Sequence, residues 1–161
     1  MANILLIETS AEICSVAVEC DGNIIDLQMS DNAMQHATHL PLYVESAMKL
    51  LKENGIKVGL AISPDTSIEE IKEYLPYIHM VLVMTVVPGK GGQSLIPETL
   101  EKVKALSKYL QENDYDLDIE VDGGINEQTA ILAKEAGANI LVAGNYIISS
   151  NDFAENVKKI K

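Results

Sequence analysis

From residue 57 onward the chain repeats one pattern: a short apolar run, a turn, then a stretch whose apolar residues recur every three or four positions. The apolar runs are 57–62, 79–86, 118–121 and 140–143, and the helical stretches are about 67–75, 97–111, 126–136 and 151–159. Strand and helix alternating in this way predicts parallel βα units, because parallel neighbours need a crossover where antiparallel ones need only a hairpin. Strands in such units are covered on both faces, which accounts for the unbroken Val81-Leu82-Val83-Met84 and Ile140-Leu141-Val142-Ala143.

The first 55 residues read differently. Asn3–Glu8 is an apolar run. Residues 13–19 alternate, with Ile13, Ser15, Ala17 and Glu19 on one face and Cys14, Val16, Val18 and Cys20 on the other. Asp21-Gly22 is a hairpin signal before a returning strand at Asn23–Met29, so this region is an antiparallel meander. From about Gln35 the period becomes helical through Leu40, Tyr43, Val44, Ala47, Leu50 and Leu51, and Gly55 stands where a helix C′ residue belongs. No linker or low-complexity tract separates residues 1–54 from 55–161, so one α/β domain is expected.

Charge and cysteine content narrow the function. Twelve Lys+Arg against 24 Asp+Glu give a net charge of −12, which argues against a nucleic-acid partner, since phosphate contacts need clustered cations. Hydrophobic residues make up 47% of the chain, enough for a real core, and that argues against disorder. No apolar run reaches the roughly 18 residues of a membrane span, and the opening residues lack a positive n-region, so no membrane partner and a cytoplasmic setting are expected. Cys14 and Cys20 lie about 20 Å apart along one extended segment and are read as reduced.

The glycines gather after the parallel strands. Val87-Pro88-Gly89-Lys90-Gly91-Gly92-Gln93-Ser94 follows the second βα strand, Asp122-Gly123-Gly124-Ile125-Asn126 the third, and Gly144-Asn145 the fourth. One such turn is explained by steric need alone. Three at equivalent positions mark a binding side, where amides free of Cβ bulk approach a phosphate. Phosphate or a sugar phosphate is the expected ligand. His36 and His39 are read as solvated helix-end residues, His79 as structural, and Asp114 with Asp116 as an acidic turn.

Two resemblances follow from these motifs. Residues from about 55 to 161 resemble the C-terminal half of the ribulose-phosphate 3-epimerases, which are (βα)8 barrels. The stretches that carry it are Gly55-Ile56-Lys57-Val58-Gly59-Leu60-Ala61, Val83-Met84-Thr85-Val86-Val87-Pro88-Gly89-Lys90-Gly91-Gly92-Gln93, Glu120-Val121-Asp122-Gly123-Gly124-Ile125 and Val142-Ala143-Gly144. The resemblance implies half a TIM barrel, with Gly91, Gly92, Gly123, Gly124, Gly144 and Asn145 around the phosphate and Met84 lining the pocket. It also implies that Asp122 is both an acid/base carboxylate and one ligand of a divalent metal. Val87, Lys90 and Asn145-Tyr146 depart from the family pattern.

Residues 1 to about 50 resemble the N-terminus of the TsaB family, through Ile4-Leu5-Leu6-Ile7-Glu8-Thr9-Ser10, Cys14-Ser15-Val16-Ala17-Val18, Asp21-Gly22 and the helix start at Gln35-His36. That family has an RNase-H-like fold and acts through protein partners in tRNA modification. Together the two resemblances imply a chimera joined by design within the helix at 38–54, with one mixed sheet in the order 3-2-1-4-5-6-7. They further imply no efficient catalysis, because the second acid/base carboxylate and the remaining metal ligands of the family belong to the other half-barrel. The expected cofactor is therefore none, or a divalent metal only if an epimerase-like site is rebuilt. An active epimerase and a TsaB-like interaction module are the alternatives. Inward residues such as Met84, Val86 and Val121 are expected to be partly bare, covered by the 40–51 helix or by a second copy in a homodimer.

Overall fold

The computed structural model describes residues 3–8, 12–31, 36–149 and 152–161. Its contacts divide the chain into two compact units, Met1–Val58 and Gly59–Lys161.

The first unit is built from β1 (Asn3–Glu8), β2 (Ser15–Cys20), β3 (Asn23–Met29) and helix α1 (His36–Glu53). The strands form an antiparallel sheet with β2 in the middle. Asp21 and Gly22 both take positive φ, 50° and 82°, the conformation of a type I′ hairpin. Val16 and Val18 pack on Ala47 and Leu51 of α1, and Tyr43 Oη donates to the Met29 carbonyl at 3.0 Å, tying α1 to β3. Both cysteines are free, Cys14 buried and Cys20 half-buried. At the end of α1 the Gly55 and Ile56 amides donate to the Lys52 and Leu51 carbonyls, the Schellman pattern that the left-handed Gly55 permits. The hydrophobic contact that accompanies this pattern is made by Ile56, which with Val58 packs on the core under α1.

That packing corrects the strand expected at 57–62. Residues 56 and 58 are held in the first unit's core, so the strand β4 starts at Gly59 and runs only to Ile62. The single sheet in the order 3-2-1-4-5-6-7 is not formed either: the strands fall into two sheets, β1-β2-β3 and β4-β5-β6-β7. Ile4 to Ile7 of β1 stay exposed, Ile7 by 50%, which is the state of an edge strand and not of one enclosed by neighbours. Helix α1 packs on β2. Thr9, Ser10 and Gln35, which carried part of the TsaB resemblance, lie outside the described residues.

In the second unit β4, β5 (Met80–Met84), β6 (Asp118–Asp122) and β7 (Ile140–Val142) pair in parallel, in chain order. Helix α2 (Glu98–Glu112) joins β5 to β6 and α3 (Glu127–Ala136) joins β6 to β7, while α4 (Gly144–Ile148) and α5 (Phe153–Ile160) follow β7. Val81, Val83, Ile119 and Val121 are buried on one face of the sheet, and α2 packs there through Val103, Leu106 and Leu110. Val121 therefore faces the helices and is not bare as expected. It is the neighbour of Asp122 along the strand, and successive side chains alternate.

The helix expected at 67–75 is replaced by two 3-10 turns, Glu69–Ile71 and Leu75–Tyr77. Pro76 has no amide to donate and its ring clashes with the carbonyl four residues back, so an α-helix cannot run through this point. Asp114 takes the left-handed conformation, φ 54°, after α2. The Tyr115 amide there reaches back to the Leu110 carbonyl, so the acidic turn is a helix terminus. Among the described residues no helix is long and apolar enough to cross a membrane.

Candidate active site

Three loops at the C-terminal ends of β5, β6 and β7 enclose a cleft of about 720 Å³. Buried Thr85 joins the first two: its amide donates to the Asp122 carbonyl at 2.9 Å and its hydroxyl to the Gly123 carbonyl at 2.6 Å. Gln93 braces the long loop from within, its side-chain amide donating to the carbonyls of Val87 and Lys90 at 2.7 and 2.6 Å. Asn126 caps α3 by accepting from the Gln128 and Thr129 amides, and the Thr129 hydroxyl donates to the Gly124 carbonyl at 2.9 Å. These ties fix the turn that follows Asp122.

The glycines of the three loops divide into two kinds. Gly123 and Gly124 have φ of 128° and 65°; a Cβ on the first would stand 2.5 Å from Val86 Cγ2, and one on the second would fall on the Leu95 backbone nitrogen. Packing and backbone conformation require both. Gly92, φ 72°, would place a Cβ 2.8 Å from Asn145 Nδ2, so the loops after β5 and β7 meet at this pair. Gly91 and Gly144 are different: neither has a positive φ, and a Cβ on either meets nothing within 4 Å. Both border the cleft, where a side chain would only take up open space.

Met84, Gly91, Gly92, Asp122, Gly123, Gly124, Gly144 and Asn145, the residues singled out in the sequence, thus stand around one cavity. Asp122 ends β6 half-buried, on the same face as Met84 and Val142, with which it is in register. Its carboxylate has no hydrogen-bond or ion-pair partner among the described residues. Lys90 stands exposed at the rim. Sequence reading missed Thr85, Gln93 and Thr129, which hold the loops; the one available signal was a threonine interrupting an apolar run. It also missed α4, so Gly144 and Asn145 open a short helix. His39 is half-buried and not solvated, its ring centroid 5.8 Å from that of Tyr43 and its Nδ1 without a hydrogen-bond partner.

The donor set does not fit a divalent metal. Among the described residues Asp122 is the one His, Cys, Asp or Glu bordering the cleft, and they contain no group of three or more such side chains able to hold an ion. A divalent cation takes about four to eight donors, and one carboxylate supplies at most two.

Comparison with known proteins places this geometry. The chain matches the Ribulose-phosphate 3 epimerase family over residues 6–148. It is 44% identical over 126 residues to a ribulose-phosphate 3-epimerase of Candida glabrata, covering 78% of this chain and 48% of that one. It is 39% identical over 127 residues to the Bacillus subtilis enzyme of the same name, covering 78% and 58%, and 34% identical over 119 residues to that of Escherichia coli, covering 74% and 53%. The chain thus spans about half the length of the curated relatives it matches. Among solved structures, YeaZ from Pseudomonas aeruginosa covers 85% of this chain and 51% of its own at 20% identity, but with a TM-score of 0.29 it carries no argument.

These findings overturn the reading of a designed chimera without a functional site. The family match spans residues 6–148, which includes the helix where a junction was expected, and relatives at 34–44% identity carry the enzyme's name. With a match across most of its residues, and the cleft at the ends of its parallel strands, the chain belongs to the ribulose-phosphate 3-epimerase family.

Proposed function

We propose that this chain is an isomerase that epimerises a ketopentose phosphate, ribulose 5-phosphate, at the carbon beside the ketone. The observation that carries the reading is the Asp122 carboxylate, at the end of β6 and without a partner among the described residues, in the same cleft as two glycines that neither backbone conformation nor packing demands. Proton transfer at such a carbon needs a carboxylate able to take the proton, and the uncommitted Asp122 meets that need. Amides of the loops at Gly91 and Gly144, with Lys90 at the rim, suit a phosphate dianion and would hold the sugar with its reacting carbon toward Asp122. The family uses a divalent metal to stabilise the enediolate, but the described donors in this cleft do not build its site.

A coupled assay with ribulose 5-phosphate, with and without added divalent metal, tests the reading. Turnover that disappears in Asp122→Asn, with the circular dichroism spectrum unchanged, is the expected result. Equal rates for the two proteins overturn it. Inorganic phosphate should also shift the amide resonances of Gly91 and Gly144 in the wild type.

A further inference from the structure

The loop after β5 treats its acceptors and its donors unequally. Two of its carbonyls, those of Val87 and Lys90, accept from the single side-chain amide of Gln93 at 2.7 and 2.6 Å. A primary amide has two N–H donors, and both are engaged here. The backbone amides from Gly89 to Leu95, by contrast, have no hydrogen-bond partner among the described residues. Gln93 is half-buried and borders the cleft with the rest of the loop. A loop with these carbonyls tied back and its amides left over suits a ligand that accepts hydrogen bonds, as a phosphate does.

The tie at Lys90 acts on the next residue. The Lys90 carbonyl and the Gly91 N–H belong to one planar trans peptide and point in opposite directions, so holding the first toward Gln93 turns the second away from it. Gly91 itself does little to hold that plane: its φ is not positive, but glycine tolerates either sign, and a Cβ there would meet nothing within 4 Å. Half a turn of the plane would set the Lys90 carbonyl where the Gly91 amide stands, and its partial negative charge would repel an anion. We propose that Gln93 is a positioning residue for the phosphate, acting through the Lys90-Gly91 peptide to keep a donor toward the anion and an acceptor away from it. The inference deepens the sugar-phosphate reading of the cleft and rests on it. Lys90 at the rim adds charge, whereas Gln93 decides direction.

Two consequences set this role apart from simple support of the loop. Loss of the brace is felt in the affinity for phosphate and not only in the stability of the chain. It also depends on residue 91. An alanine there resists positive φ, so in Gly91→Ala the plane keeps its direction without help and loss of Gln93 matters less. That substitution also puts a methyl in the cleft and lowers affinity by itself, so the effect of Gln93 is a ratio within each background.

Gln93→Met keeps the length of the side chain, removes both donors and adds no charge. Inorganic phosphate titrated into the isotope-labelled 161-residue chain, followed at the amides bordering the cleft, gives the dissociation constants. Gln93→Met should bind phosphate about tenfold more weakly than the wild type, the contribution of one or two hydrogen bonds, with an unchanged circular dichroism spectrum. In the Gly91→Ala background the same change should weaken binding by less than about threefold. Should Gln93→Met not fold, Gln93→Asn, whose shorter arm does not span both carbonyls, is read in the same way. Equal affinity in Gln93→Met and wild type, the same fold loss in both backgrounds, or a wild type that binds no phosphate in the cleft would each overturn the inference. Turnover of ribulose 5-phosphate by the same proteins keeps the two proposals apart. Phosphate binding with the expected losses and no wild-type turnover defeats the catalytic reading and leaves Gln93 in its role, whereas wild-type turnover with affinity unchanged in Gln93→Met does the reverse.

Discussion

Replacing single glycines by alanine separates scaffold from site within one cleft. In Gly124→Ala the new Cβ falls on the Leu95 backbone nitrogen, and the residue must hold φ 65°. Left-handed φ costs an alanine about 1–2 kcal/mol. Forcing a methyl against backbone adds about 1–3 kcal/mol, because the neighbour is no flexible side chain and cannot rotate away. Against this, alanine stiffens the unfolded chain by about 0.4–1 kcal/mol. The net is a destabilisation of about 1–5 kcal/mol, which at this chain length lowers the thermal midpoint by roughly 2–18 °C. Gly91→Ala meets nothing within 4 Å at an ordinary φ, so its stability should stay within about 0.5 kcal/mol of wild type while its affinity for a sugar phosphate falls. Thermal unfolding followed by circular dichroism, with titration of ribulose 5-phosphate, reads both. Equal midpoints for the two variants would refute the placement of the Asp122-Gly123-Gly124 turn against Leu95. Unchanged affinity in Gly91→Ala would remove Gly91 from the site.

Other changes follow from local contacts. Asn126→Ala removes the side chain that caps α3 and should cost about 1 kcal/mol, seen as a lower urea midpoint at constant slope; an unchanged midpoint would mean the cap is not formed. The Ser67 amide donates to Glu70 Oε1 at 2.8 Å, and this bond, with a smaller contribution from Lys102, holds the Glu70 carboxyl below the usual range. A carboxyl depressed in the folded state stabilises above its unfolded pKa, and that contribution is lost as pH falls through the folded value. The Ser67 amide shift should accordingly titrate with a midpoint below the ordinary glutamate value of about 4.3, and a midpoint at or above it contradicts the hydrogen bond.

Much of the fold was legible because local physics repeats. Strand β6 and helices α2 and α3 fell within a residue or so of their expected bounds, since alternation, three- and four-residue spacing and the terminal Gly137 each act over a few neighbours. Asp21-Gly22 and Gly55 were readable for the same reason, their left-handed φ being a property of the residue itself. The 67–75 stretch was misread because its apolar spacing is helical while Pro76 acts from outside the window. Helix α4 was missed because five residues carry too little periodicity.

The glycine loops and Asp122 could be found in the sequence because turn chemistry and a carboxylate leave a mark at their own positions. What each glycine is for could not, since Gly91 and Gly124 look alike until Leu95 is seen to stand against one and open space beside the other. Strand pairing was likewise decided in three dimensions. Only there are Ile56 and Val58 spent on the core beneath α1, leaving β4 four residues to pair with β5 and leaving β1 at the edge of its own sheet. An amino-acid sequence determines which residues can form a strand or a turn, because those preferences act within a few bonds; which strand stands beside which depends on contacts between residues far apart in the chain, and the folded structure alone contains them.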